Sequence, residues 1–301
     1  MILAHLSDLH LRDRDDAAGF EQQLDRVAAR RPVHLVITGD LLDRWDPALL
    51  GRALDALAQR GFMDAERLTI IHGNHDLASS GGHPRERSDL RRLVTRFWDP
   101  PPVLAARKRT FYRHIAQHGP GIGSVPPFTK TLAAGLRVAA IDTVPAPWKP
   151  AGIRRGRLTV HHAEGSVPRS HQEWLSAQRG GGALVVLTHH YPLPVPPFEF
   201  DLQTRLGLRS RWLSRLGARH VSVPMEIEPA SREAFWEAAA AAGVTLVACG
   251  HVHRARLEHH RSIAVGLNGQ SGADWAGRTI AYYRLSQGTV TAEYESASRA
   301  A

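Results

Sequence analysis

Five short clusters of residues with metal-ligating side chains are spaced along almost the whole chain: Asp8-Leu9-His10, Gly39-Asp40, Gly73-Asn74-His75-Asp76, His189-His190 and Gly250-His251-Val252-His253. Val33 to Thr38 precedes Asp40, Leu68 to His72 precedes Asn74, Val244 to Cys249 precedes His251, and His189 ends the run Ala183 to Thr188. A buried parallel strand reads as such an apolar run, and function in open α/β sheets collects at the strands' carboxyl ends. The folding pattern is therefore expected to bring the clusters to one rim. Their Asp, Asn and His side chains make a mixed oxygen and nitrogen ligand set. Transition metals take such a set more readily than calcium, which takes oxygen alone, or thiophilic sites, which take cysteine.

In the order SDLH, TGDLLD, HGNHD, THHYP and GHVH, the clusters complete the pattern D-x-H, G-D, G-N-H-[DE], H and G-H-x-H. The chain thereby resembles the calcineurin-like metallophosphoesterase family from Met1 to about Asn268. The resemblance implies an α/β fold, a four-layer αββα sandwich of two mixed β-sheets flanked by helices. It also implies a binuclear centre of divalent or mixed-valence transition metals, with Mn, Fe or Zn expected. Asp8, His10 and His253 would hold one metal, Asn74, His189 and His251 the other, and Asp40 would bridge them with its two oxygens. A water or hydroxide between two such cations is the expected nucleophile, because metal binding pulls a water pKa down toward about 7. The D-x-H and H-x-H spacings suit an extended strand end, where residues i and i+2 point the same way.

His75 follows Asn74 directly and is the residue expected to do proton chemistry or to stabilise charge on the phosphoryl oxygens. Asp76 is expected to orient its ring or to support the site from behind. Of the adjacent pair His189-His190, one is expected to bind metal, and the family pattern puts the ligand at His189. His190 would then support it or face the substrate. Asp43 and Asp142 follow strand ends and are expected to support ligands. Arg44 stands where the resemblance to G-D-x-x-D-R would place a phosphate-gripping arginine, although Trp45 and Asp76 depart from the phosphoprotein phosphatase pattern. His5, His34 and His72 fall in or beside strands and read as hydrogen-bonded core histidines.

The 301 residues suffice for one large α/β domain or two small ones, and we read 1–301 as a single metallophosphoesterase domain. No apolar stretch approaches the roughly 20 residues of a membrane helix. Met1 opens straight into the strand-like Ile2 to Leu6, so no secretory signal is expected and the chain reads as cytoplasmic. The formal charge is +9, but of 38 basic residues only Lys108, Lys130 and Lys149 are lysine. So uniform an arginine bias argues composition as much as a nucleic-acid surface. The one cysteine, Cys249, excludes an internal disulfide and any cysteine-based zinc site, and it reads as a buried thiol.

Between the clusters, helices are expected at Phe20 to Ala29, Ala48 to Arg60, Ser88 to Phe97, Ser170 to Gln178 and Ser231 to Ala242. Pro100-Pro101-Pro102 reads as a helix stop, and Thr110 to Ile115 and Leu136 to Asp142 as strands with no long helix between them. Short β segments follow at 256–260, 262–267, 279–285 and 290–294. Tyr191 to Pro229 has no clear element and carries Pro192, Pro194, Pro196, Pro197 and five arginines (Arg205, Arg209, Arg211, Arg215, Arg219). Its length and its start beside His189 suggest an inserted, partly helical lid over the site. The expected activity is metal-dependent hydrolysis of small phosphodiesters or phosphomonoesters. A DNA or RNA nuclease of the same superfamily is the alternative, then a phosphoprotein phosphatase, then a metal-binding scaffold without activity. Nucleic acid is not the favoured partner, because no helical partner-binding extension and no aromatic-interleaved basic face is evident.

Overall fold

The computed structural model describes residues 1–78, 101–144, 152–154, 157–159, 161, 163–201, 220–269, 278–286 and 288–297. The expected helix Ser88 to Phe97 and the five arginines of the lid segment lie outside these residues. The elements run β1 (Ile2–Leu6), α1 (Arg14–Arg30), β2 (His34–Thr38), α2 (Pro47–Gln59), β3 (Leu68–Ile71), α3 (Pro101–His118), β4 (Phe128–Thr131), β5 (Arg137–Ala140), β6 (Gly152–Arg154) and β7 (Arg157–Thr159). There follow α4 (Arg169–Ser176), β8 (Leu184–Leu187), β9 (Phe198–Asp201), β10 (His220–Val223), α5 (Pro229–Ala242), β11 (Val244–Cys249), β12 (Arg256–His260), β13 (Ile263–Leu267), β14 (Arg278–Ser286) and β15 (Thr289–Ala297).

Two mixed sheets carry the fold. One has the order β15-β14-β1-β2-β3 and the other β12-β13-β11-β8-β5-β4. Strand residues alternate between two cores, as the period of two requires. Leu3, Val36 and Ile71 of the first sheet meet Val138, Val185, Leu187, Leu246 and Ala248 of the second in a central layer. On the first sheet's outer face, Leu6, Leu35, Ile37 and Ile70 pack under Phe20, Leu24, Leu54 and Leu57 of α1 and α2. On the second sheet's outer face, Leu184, Val186 and Val247 pack under Leu175, Phe235 and Trp236 of α4 and α5. This is the αββα arrangement.

The helix boundaries have local causes. Asp13 caps α1 by accepting from the backbone N–H groups of Asp15 and Asp16, and Asp46 does the same for α2 ahead of Pro47. Gly243 ends α5 with φ 70°, a conformation glycine adopts without steric cost.

The expected strand Thr110 to Ile115 is instead part of α3. Its β-branched and aromatic residues imitate a strand in a six-residue window. Over the full element the buried residues are Leu104, Lys108, Phe111, Tyr112 and Ile115, which is helical spacing. Pro101 and Pro102 open this helix, whose first turn needs no backbone donors; the helix expected to stop at them lies outside the described residues. A third sheet, β6-β7-β10-β9, was not anticipated. Its β7 and β10 pair in parallel, Arg157 opposite His220. Within 191–229 the described residues include strands β9 and β10 and the first residue of α5, and the helix expected in this segment is left to residues 202–219, outside the described residues. Among the described residues no helix is long and apolar enough to cross a membrane.

His5 and His34 are core histidines as expected. His5 bonds Tyr283 through Nδ1 and Thr38 through Nε2, and His34 bonds the Glu66 carbonyl and the Thr69 hydroxyl. Burial lowers each of them to about 3. Both therefore stay neutral in the folded chain at a pH where the unfolded chain binds protons. Their stabilising contribution is complete above about pH 6.5 and is lost as pH falls toward about 3. Denaturant titrations of chelator-treated protein between pH 7.5 and 4 should show falling stability. A His34→Gln variant should be less stable at pH 7.5 and show a pH slope shallower by up to about 1.4 kcal/mol per unit. Equal slopes for the two proteins would contradict this assignment.

Candidate metal centre

The five clusters meet at the carboxyl ends of β1, β2, β3, β8 and β11. β1, β2 and β3 are mutually parallel neighbours, and so are β5, β8 and β11. Their ends therefore open on the same rim from two facing sheets. Beyond the strands the loops keep pairing: the Asp8 N–H donates to the Gly39 carbonyl (3.1 Å), His10 N–H to Asp40 (2.9 Å), and Gly250 N–H to His189 (3.0 Å).

The extended geometry expected for D-x-H and H-x-H is not what forms. Asp8 (φ 53°), His10 (φ 45°), Asp40 (φ 50°), His251 (φ 72°) and His253 (φ 52°) all occupy the left-handed region. Such positions cost a non-glycine residue of order 1–3 kcal/mol each and persist only where the surroundings over-determine them. The surroundings here leave no slack. A Cβ on Gly73 would lie 2.2 Å from Asp40 Oδ1, and one on Gly250 would lie 2.3 Å from Asp8 Oδ2. The glycines of the G-N-H and G-H-x-H clusters are thus sites of close backbone approach to carboxylates.

Two groups of ligand atoms result. In the first, His10 Nε2 is 3.1 Å from His253 Nε2, and Asp8 Oδ1 is 3.7 Å from His253 Nε2. In the second, His189 Nε2 is 2.9 Å from Asn74 Oδ1 and 3.1 Å from His251 Nδ1. Asp40 Oδ2 stands between them, 3.7 Å from His10 Nε2 and 3.3 Å from His189 Nε2. Asp40 Oδ1 accepts the His75 N–H at 2.7 Å, and Oδ2 is the oxygen nearer to both His10 and His189.

Backbone carbonyls select the ring nitrogens. His189 Nδ1–H donates to the Thr38 carbonyl (2.9 Å), and His251 Nε2–H donates to the Ala163 carbonyl (2.8 Å). The opposite nitrogens, His189 Nε2 and His251 Nδ1, are then the atoms that face the site. With Asn74 Oδ1 and Asp40 Oδ2 they line one space around a buried carboxylate, where a cation would take the place of the proton that His189 Nε2 otherwise holds. Bonds of about 2.0–2.2 Å to a transition metal place neighbouring ligand atoms roughly 3 Å apart, which matches the distances above. The donor set therefore fits a metal. Electrostatics points the same way. Burial would lower His189, yet Asp40 and Asp8 raise it to about 9. Burial, with Asp40 adding to it, raises Asp8 to about 6.

Other expected residues take distinct places. His75 Nδ1 bonds the Asp43 backbone carbonyl (2.9 Å) and lies 3.5 Å from the Asp43 carboxylate. The same carboxylate is 3.6 Å from His10 Nδ1. Burial opposes its ionisation, but His10 and His75 hold it far below the usual carboxylate range. The His75 ring also stands with His10 and Asp40 in a third group of possible ligand atoms, all within 4.8 Å of one another. Asp76 does not meet the His75 ring. Its Oδ1 accepts from Leu42 N–H and its Oδ2 from Gly73 N–H, both at 2.8 Å, so it ties two ligand-bearing loops together. Burial and Asp40 raise it to about 7.

His190 is buried, its Nδ1 2.9 Å from Thr143 Oγ1 and its ring packed 4.4 Å from that of His251. Asp142 meets His72 and Lys108 rather than a metal-facing ring. Arg44 is exposed at the end of the Asp40 loop. Cys249 is buried, and burial pushes its thiol well up. The carbonyls of Thr38, Ala163 and Asp43 were missed, because a main-chain oxygen leaves no mark in the residue type.

A family model described as calcineurin-like phosphoesterase matches residues 1–255. A cAMP/cGMP dual specificity phosphodiesterase of Mycobacterium tuberculosis is 23% identical over 206 residues, covering 64% of this chain and 50% of that protein. The chain thus spans about half the length of this curated relative. Among solved structures, a dimetal phosphatase from Danio rerio is similar with TM-score 0.55 at 12% identity, covering 95% of this chain and 93% of that one. The protein TT1561 of Thermus thermophilus is similar with TM-score 0.53 at 9% identity, covering 97% of each chain. At these identities the solved structures establish the fold. The family match and the phosphodiesterase relative support a hydrolase acting on phosphate esters. The chain belongs to the calcineurin-like phosphoesterase family, a family of binuclear metal-dependent enzymes.

Proposed function

We propose that this chain hydrolyses small phosphate esters, diesters or monoesters, at a two-metal centre. The observation that carries the reading is the convergence of Asn74 Oδ1, His251 Nδ1 and Asp40 Oδ2 to within 2.9–3.3 Å of His189 Nε2. Asp8, His10 and His253 would hold one metal, Asn74, His189 and His251 the other, with Asp40 shared. Nitrogen and oxygen donors of this kind accept Mn, Fe or Zn. Bound metals would supply Lewis-acid stabilisation of phosphoryl oxygens and a water acidic enough to attack near neutral pH. His75 would donate a proton to the leaving oxygen, or place positive charge beside it, through Nε2, since Nδ1 is engaged by Asp43. Asp43 holds that ring in place, and Asp76 serves the loops rather than the proton.

The segment Tyr191 to Pro229 starts directly after His190, and its β9 and β10 share a sheet with β6 and β7. The loop before β6 leaves from Val144, two residues beyond Asp142. Both excursions start from site-facing strand ends, which supports their narrowing access in favour of small esters. The likeness to a cyclic-nucleotide phosphodiesterase favours a diester. The whole of 1–301 acts as one domain in this reading, in the cytoplasm, with nucleic acid possible but not favoured as a partner.

Two measurements test it. His75→Ala should keep two Mn2+ per chain while kcat falls by about 10²–10⁴-fold, and His251→Ala should lose one Mn2+. Loss of metal from the first variant, or unchanged turnover, would overturn the role given to His75. Secondly, kcat/KM for bis-p-nitrophenyl phosphate, p-nitrophenyl phosphate and cyclic AMP should exceed that for single- and double-stranded DNA at two salt concentrations. Faster, strongly salt-sensitive DNA cleavage would favour a nuclease instead.

A further inference from the structure

A second group of buried polar side chains lies behind the ligand loops. Lys108 and Tyr112, four residues apart on one face of α3, reach the ends of strands from both sheets. Lys108 Nζ donates to Asp142 Oδ2 (2.5 Å) and to the Val144 carbonyl (2.7 Å). Tyr112 OH meets His72 Nδ1 (2.7 Å), and His72 Nε2 meets Asp142 Oδ1 (3.2 Å). Asp142 Oδ1 also accepts from Val144 N–H (2.9 Å). Lys108, Tyr112 and His72 are each at most 9% exposed. His72 Nε2–H donates to the carboxylate, and its Nδ1 faces the Tyr112 hydroxyl. None of these groups is a metal ligand in the arrangement above.

Both ends of this network run into one ligand group. His72 is two residues from Asn74, at the end of β3 in the first sheet. Asp142 is followed by Thr143, whose hydroxyl holds His190 through its ring nitrogen (2.9 Å) and its backbone N–H (3.1 Å). His190 is the neighbour of His189 at the end of β8 in the second sheet. Asn74 Oδ1 and His189 Nε2 are 2.9 Å apart. The network thus spans the two sheets at the place where Asn74 and His189 must meet. The other group, Asp8, His10 and His253, hangs instead from the ends of β1 and β11. We propose that Lys108, Tyr112, His72 and Asp142 form a positioning clamp that sets the spacing of Asn74 and His189, and with it the affinity of the Asn74–His189–His251 group for its metal. The clamp rests on the two-metal reading. It acts through the ligands, so its loss should separate the two groups where general loosening of the fold would not.

The test is Mn2+ titration of the full, metal-stripped chain against a competing chelator. The wild type should bind in two resolved steps, and the step that disappears in Asn74→Ala marks the clamped group. Lys108→Met and Asp142→Asn should each weaken that step about tenfold or more while leaving the other within about twofold. Tyr112→Phe, which keeps the ring's volume, should weaken the same step less, and it carries the test if the other two variants fail to fold. In the metal-free protein, Tyr112→Phe should also speed amide exchange at Gly73 and Asn74 relative to Asp8 and His10. Equal weakening of both steps, or no change in either the marked step or Gly73 exchange, would overturn the clamp. A wild type that binds fewer than two Mn2+ would instead overturn the two-metal reading, and the exchange comparison would still decide the clamp.

Discussion

One carboxylate oxygen, Asp40 Oδ2, stands between histidines contributed by opposing sheets, and the centre is organised around it. Its partner oxygen is pinned by the His75 N–H, so the carboxylate cannot rotate without losing that bond. Burial alone would neutralise it, but His189, His75 and His10 keep Asp40 far below the ordinary carboxylate range. A buried anion needs compensating charge, which the histidines supply as protons when no metal is bound. Metal cations would supply it in their place and leave the ring nitrogens as ligands. The five left-handed residues around it are the local strain that this convergence requires.

The scaffold transmits rigidity to that point through ordinary packing and a few hydrogen bonds. Thr38 is the clearest example. Its hydroxyl accepts or donates to His5 Nε2, whose other nitrogen bonds Tyr283 on β14, while its carbonyl fixes the tautomer of His189 on β8. A path of four residues thus crosses the first sheet and reaches a ligand of the second. The central apolar layer that includes Leu3, Val36, Val185 and Leu246 holds the sheets at the spacing this path needs. Asp76 does similar work between the loops of Asp40 and Asn74.

Much of this was legible in the chain because parallel strands buried on both faces read as apolar runs, and Asp40, Asn74, His189 and His251 lie just beyond such runs. His5 and His34 were legible as core groups for the same reason. The backbone conformation of Asp8, His10 and His253 was not. A two-residue spacing is compatible with an extended or a left-handed path, and the residue types do not choose between them. Of the two roles expected for Asp76, orienting His75 or supporting the site, the first falls to Asp43, which approaches from another loop that sequence adjacency hides. α3 was missed because a six-residue window over Thr110 to Ile115 cannot reveal a helical period spread over Leu104 to Ile115. The β7–β10 pairing joins segments about sixty residues apart, beyond any local pattern.

Anomalous diffraction from crystals grown with Mn2+ tests the shared role of Asp40 most directly. Two peaks are expected about 3.5–4 Å apart, one among Asp8, His10 and His253, the other among Asn74, His189 and His251. Asp40 Oδ2 should lie at bonding distance, roughly 2.0–2.3 Å, from both. A single peak, or two peaks of which only one is bonded to Asp40, would contradict this account.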